Sequence, residues 1–148
     1  MLFLILIVIA LLAVPVSFVA YGAVTVRGQR RALATFRATA HAYFTRPQMG
    51  MWKLSATILV VSPDEISVWK SGSGQPTRLL TLPGRGATVA PAEVRINAAR
   101  IVEGFVITSA EGRSVPLTLW PEPTMGVAKP HTGALLVQTV DEIRGVVG

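Results

Sequence analysis

Few side chains in this sequence could do chemistry: two histidines, an adjacent carboxylate pair, one serine–lysine spacing and two arginines beside glycine-rich loops. His41 and His131 stand far apart, with no clustered carboxylates around either, so their spacing does not describe a metal site. The chain has no cysteine, which excludes a thiolate nucleophile, a Cys-ligated metal and a disulfide framework. Asp64 and Glu65 are neighbours in a turn, whereas paired-carboxylate chemistry needs two groups converging on one substrate. "SVWK" (67–70) has the S-x-x-K spacing of a serine acylation site. It lies on an alternating, strand-like run that separates the two side chains, and the companion motifs are absent. "SGSGQPT" lacks the glycine–lysine spacing of a phosphate loop and precedes no helix, so it reads as a hairpin loop. "LPGRGATVAP" is the better candidate: its Arg85, with Arg78 nearby, could offer guanidinium and backbone N–H groups to an anion or an acidic partner. The same loop also reads as a plain flexible strand connection. No catalytic, cofactor-binding or metal constellation emerges, and the expectation is a protein that is not an enzyme.

The elements that position these groups begin with an uncharged stretch. Residues 1–26, "MLFLILIVIALLAVPVSFVAYGAVTV", carry no charged side chain. At about 1.5 Å per helical residue, roughly 20 such residues cross the hydrocarbon core of a bilayer. The segment is expected to be a transmembrane helix, with Pro15 a potential kink and Tyr21 an interfacial aromatic. Three other readings compete: a cleaved signal peptide, for which "SFVAYGA" supplies small residues, an anchor with its N-terminus inside, and a buried soluble helix. A signal peptide carries its positive charge ahead of the apolar run. Here the arginines follow it, and the run is apolar all round rather than on one side.

Net charge divides unevenly along the chain. Six basic residues and no acidic ones lie between Arg27 and Lys53, whereas residues 64–148 carry eight of each sign. Positive charge resists translocation, so this pattern predicts an N-terminus outside and a C-terminal domain in the cytoplasm, at the plasma (inner) membrane. A nucleic-acid-binding domain more often spreads its basic residues over a folded face, and no nucleic-acid partner is expected. Residues 27–46 are predicted to form a basic amphipathic juxtamembrane helix. Leu33, Phe36, Ala40, Tyr43 and Phe44 fall on one arc, Arg27, Arg30, Arg31, Arg37 and His41 on the other, and the helix ends at "TRP". Arg27, Arg30, Arg31 and Arg37 are the candidate contacts to anionic lipid headgroups. The alternative is a linker helix whose apolar face packs on the next domain.

From Gly50 the period changes to that of strands. Runs at 54–62, 66–70, 77–82, 87–90, 93–97, 100–109 and 113–120 are β-branched or alternating, and glycine- or proline-containing turns separate them. The last segment, 132–147, is predicted helical, with Thr132 as cap and Leu135, Leu136, Val140, Ile143 and Val147 on one face. Residues 50–148 are therefore expected to be an α+β antiparallel barrel or sandwich, closed by the C-terminal amphipathic helix.

That order of elements resembles pleckstrin-homology-like (PH-like) domains, including the bacterial ones. The likeness lies in strand order rather than a short motif. The tryptophan of the C-terminal helix in eukaryotic members has no counterpart here, since Trp52, Trp69 and Trp120 fall on or beside strands. The whole chain is similar to small actinobacterial membrane proteins that join one N-terminal span to such a domain. "GMWKLSATILVVSPDEISVW" and "LTLW" carry that likeness, and the eleven arginines against three lysines fit a GC-rich genome. Those families are largely of unknown function, so the resemblance implies an architecture only. The expected function is a non-enzymatic membrane-anchored binding or scaffold protein, without cofactor, holding a protein partner or a membrane complex at the inner membrane surface. The alternatives are an accessory subunit of a larger membrane enzyme assembly, using small residues such as "AYGA" for helix packing, and an exported surface-anchored domain.

Overall fold

The computed structural model describes residues 1–53 and 56–148. It contains one long N-terminal helix, α1 (Leu2–Arg37), and seven strands: β1 (His41–Pro47), β2 (Thr57–Val61), β3 (Glu65–Lys70), β4 (Thr77–Pro83), β5 (Thr88–Asn97), β6 (Arg100–Thr108) and β7 (Ser114–Leu119). A C-terminal helix, α2 (Gly133–Val147), completes it. Of the first run expected as a strand, Leu54 and Ser55 lie outside the described residues.

The strands form one antiparallel sheet in the order β4-β3-β2-β1-β7-β6-β5, curled into a half-barrel. β1 is therefore central, joining the β2–β4 meander to the β5–β7 meander. Pro91, which split one strand into two in the sequence reading, lies inside β5. A proline is tolerated there because β5 is an edge strand whose missing N–H interrupts no second ladder.

The concave side of the sheet holds the main core. Phe105, Ile107, Leu117, Leu59 and Val61 meet Leu136, Val140, Ile143 and Val147 of α2 there. The helical stripe is the expected one except for Leu135, which is exposed. Thr132 makes no side-chain cap bond. The carboxylate of Glu103 instead accepts the Gly133 N–H at 3.0 Å, placing a negative charge at the positive end of the helix. The Arg144 side chain donates to the Val89 carbonyl at 2.8 Å, tying α2 to strand β5.

The convex side carries a second, smaller core, and α1 belongs to it. Ala32 and Leu33 are buried against Ala42 and Phe44 of β1, Ile58 of β2 and Trp120, with the Phe36 ring 5.0 Å from Trp69. The helix expected over 27–46 is thus corrected in both its boundaries. Arg27–Arg37 is helical but continuous with the apolar stretch, and His41–Pro47 is a strand. Ala42 and Phe44 face α1, whereas Tyr43 and Thr45 face the concave side, where the Thr45 and Thr57 hydroxyls lie 2.9 Å apart. With both faces buried, β1 shows no alternation of apolar and polar residues, so a helical period fits the same letters. The sheet accordingly begins at His41 rather than after Gly50.

Exposure along α1 changes at one point. Every residue from Leu2 to Tyr21 is exposed, and this stretch is about 30 Å long at ~1.5 Å per residue, the thickness of a bilayer core. Pro15 lies inside the helix without ending it, and Ser17 returns its hydroxyl to the Ala13 carbonyl at 2.7 Å, which leaves that hydroxyl satisfied within the helix. From Gly22 onward one face is covered: Gly22, Thr25, Val26, Gln29, Ala32, Leu33 and Phe36 recur at helical spacing. At Gly28 the approach is so close that a Cβ would run into the Gly72 carbonyl of the β3–β4 loop. One helix is long and apolar enough to cross a membrane, and its C-terminal part is a structural element of the domain.

Candidate functional site

A concavity of about 830 Å³ lies at the end of α1 remote from the apolar stretch. Four elements meet there: the last residue of α1 with the turn after it (Arg37, Thr39, Ala40), the start of β1 (His41, Tyr43), the end of β2 with its turn (Val61, Ser62), and the last turns of α2 (Glu142, Gly145, Val146). His41 Nδ1 and Glu142 Oε1 are 3.1 Å apart, joining residues 101 positions apart in sequence. Both side chains are about half exposed, so the pair faces solvent rather than holding the fold together. The Tyr43 hydroxyl is buried without a hydrogen-bond partner among the described residues. Burial, with the Glu142 carboxylate beside it, pushes this phenol above its ordinary range, so it remains a proton donor in the cleft. Arg37 also borders the cleft, but its side chain is engaged by the Ala42 carbonyl at 3.1 Å and by the Glu122 carboxylate.

A histidine with a carboxylate on one ring nitrogen is part of a charge-relay arrangement, and a hydroxyl would complete it. Ser62, the serine of the lining, is committed elsewhere. Its Oγ donates to the Glu65 carbonyl at 2.9 Å and accepts the Glu65 N–H at 3.2 Å, stabilising the β2–β3 turn. No hydrogen bond joins it to His41 among the described residues. No three metal-ligating side chains converge among the described residues either. What the cleft offers is recognition: an exposed imidazole and carboxylate, with the Tyr43 ring and its buried hydroxyl behind them.

The six arginines singled out in the sequence are placed in three ways. Arg30 donates from Nε to the Pro123 carbonyl at 2.7 Å, and Arg37 meets Glu122, so both grip the loop between β7 and α2. Arg27 and Arg31 are exposed, and their guanidiniums make no hydrogen bond or ion pair among the described residues. Arg78 and Arg85 face the β2–β3 turn, Arg78 3.5 Å from Glu65 and Arg85 3.4 Å from Asp64. Arg78 also stacks on Trp69, 4.7 Å from the ring centre. Each of these two guanidiniums thus already has a carboxylate neighbour, and an incoming anion would compete with it.

Sequence reasoning missed Tyr43 and Glu142. Both had been read as parts of ordinary amphipathic helices, and only the fold of β1 against α2 brings them to His41. Arg46 was likewise not singled out, yet its guanidinium lies 3.9 Å from the Trp120 ring centre, and burial pulls its pKa down. Comparison with protein-family models, with curated proteins and with solved structures returned no match, so the functional reading rests on the arrangement of these residues.

Proposed function

We propose that the chain is a single-span, membrane-tethered binding module that presents the His41–Tyr43–Glu142 cleft to a protein partner at a fixed distance from the inner membrane surface. The observation that carries this reading is the continuity of α1: one unbroken helix runs from the exposed apolar stretch into the convex core of the domain. A flexible tether would let the domain wander. A helix docked from Gly22 to Phe36 instead sets the height of the cleft, because Arg37 lies about 24 Å along the axis from Tyr21 at ~1.5 Å per residue. The basic residues directly after the apolar stretch favour a cytoplasmic domain and an N-terminus outside.

The meander order with a C-terminal helix filling the concave side supports a PH-like plan for the domain. The engagement of Ser62 by its own turn favours binding over hydrolysis at the cleft. A second reading, an accessory subunit of a larger membrane assembly, draws on an apolar groove along α1 lined by Pro15, Val16, Val19, Ala20 and Ala23, where another helix could approach closely.

The test is to isolate the full chain from gently solubilised native membranes and compare it with the Glu142→Lys variant, which reverses the charge of the cleft without touching either core. Proteins that co-isolate with the parent and are lost from the variant support the cleft as the docking site. Identical sets of co-isolating proteins, or none with either chain, overturn it. If the set instead depends on the groove, as with Ala20→Leu, the accessory-subunit reading replaces it.

A further inference from the structure

We infer that the tip of the loop between β7 and α2, Met125–Gly126–Val127, seats in the headgroup region of the bilayer as a second membrane contact beside the span. The inference rests on α1 crossing a membrane, and three contacts trace how the loop reaches that level. After Trp120 the chain turns back along α1: Glu122 meets Arg37, and the Pro123 carbonyl accepts from Arg30. The Met125 side chain then reaches Gly22, where an added Cβ would sit 3.3 Å from its terminal methyl. Gly22 is the first covered residue after the exposed apolar stretch that ends at Tyr21, so the loop descends to the level where the span ends.

There the loop reverses. Gly126 has φ +110°, a conformation that favours glycine, and the chain returns to hydrogen-bond His131 N–H to the Leu119 carbonyl at 2.8 Å. The residues presented at the reversal are apolar: Val127 is 99% exposed and Met125 49%. Isolated exposed apolar residues are ordinary on a protein surface. Met125 lies beside Gly22, next to Tyr21, where headgroups would replace hydrocarbon, and Val127 follows it across the Gly126 reversal. The charges around them have the sign that anionic headgroups attract: Arg27 and Arg31 on α1, whose side chains lean toward the helix N-terminus, and Lys129 on the loop itself. The tip carries no carboxylate between Thr124 and Lys129. A span alone leaves a helix free to tilt and rotate. A second contact offset from the helix axis would fix which side of the domain faces the membrane.

The chain has no cysteine, so single cysteines can be introduced into the full-length protein and labelled. Val127→Cys, Leu11→Cys and Ala38→Cys would carry an environment-sensitive fluorophore in vesicles of phosphatidylcholine and phosphatidylglycerol, with spin-labelled lipids as shallow or deep quenchers. The expected result is Val127→Cys quenched more by the shallow than by the deep label, Leu11→Cys quenched more by the deep label, and Ala38→Cys unquenched. If Leu11→Cys is quenched while Val127→Cys stays as unquenched as Ala38→Cys, or is quenched best by the deep label, the loop contact is refuted and the span stands. If Leu11→Cys is unquenched, the span fails and the loop contact fails with it.

Discussion

Removal of β1 is the sharpest perturbation of this fold. A fragment of residues 50–148 keeps every segment that reads as strand or helix after Gly50, yet it lacks the strand between β2 and β7. β1 pairs with β2 from His41↔Val61 to Thr45↔Thr57 and with β7 from Thr45↔Leu119 to Pro47↔Leu117. Its loss strips both neighbours of a ladder and leaves the buried Thr57 hydroxyl without Thr45. It also removes Phe44, one of the large buried side chains of the convex core. Losing a buried Phe costs about 3–5 kcal/mol. Each buried polar group left unpaired adds roughly 1–3 kcal/mol. A domain of about 100 residues has only ~5–15 kcal/mol in total. The two-meander sheet should therefore fail to form without β1, whereas residues 22–148, which keep β1 and the docked part of α1, should unfold cooperatively. Urea titration followed by tryptophan fluorescence and far-UV circular dichroism separates the two. A cooperative transition of the 50–148 fragment, with strand-type dichroism and a midpoint near that of 22–148, would refute the central place of β1.

Four further substitutions test the same architecture in the full chain or in residues 22–148. Leu33→Ala, at a residue 1% exposed, should destabilise the protein by about 2–5 kcal/mol in denaturant titrations, against no more than about 0.5 kcal/mol if α1 merely lies near the domain. Arg37→Gln and Glu122→Gln should each cost at most about 1 kcal/mol, since both side chains are about half exposed; a double-mutant cycle measures their coupling directly. The Tyr43 phenol is held above its ordinary value of about 10, so above pH ~10 the unfolded chain releases a proton that the folded chain keeps. Stability should then fall as pH rises beyond 10, by up to ~1.4 kcal/mol per unit from this group, and Tyr43→Phe should remove that share of the slope without loss at neutral pH.

Why some of the fold was legible and some was not comes down to how many faces each element buries. The apolar stretch to Tyr21 is uncharged all round, and α2 has one aliphatic stripe, Leu136, Val140, Ile143 and Val147, so both were readable from period alone. β3 to β7 were located because turns such as "SGSGQP" and "AEG" punctuate them, although Pro91 made β5 look like two strands. β1 was misread as helix because Ala42 and Phe44 serve one core and Tyr43 and Thr45 the other. The cleft depends on that strand. His41 was noticed but looked solitary, since the carboxylate 3.1 Å from its ring comes from a helix a hundred residues later and no local pattern announces such a meeting.

The arginines show the same dependence on fold. Read along the chain, Arg27, Arg30, Arg31 and Arg37 form one basic face with no acid near enough in sequence to answer it. In three dimensions the β7–α2 loop supplies that answer, through the Glu122 carboxylate and the Pro123 carbonyl, and it uses Arg30 and Arg37 to hold itself along α1. Among the described residues only the Arg27 and Arg31 guanidiniums of these four have no protein partner, which halves the number of charges left for headgroups; at on the order of 1 kcal/mol each, two such contacts would add to an anchor but not make one. On the proposed reading the apolar helix supplies the anchoring and the basic residues divide their work: Arg30 and Arg37 hold the loop, and Arg27 and Arg31 are left for the surface. The loop so held runs along α1 to Gly22, while the cleft lies at the other end of the docked helix, so the proposed membrane contact and the groups that could receive a partner are kept at opposite ends of one helix.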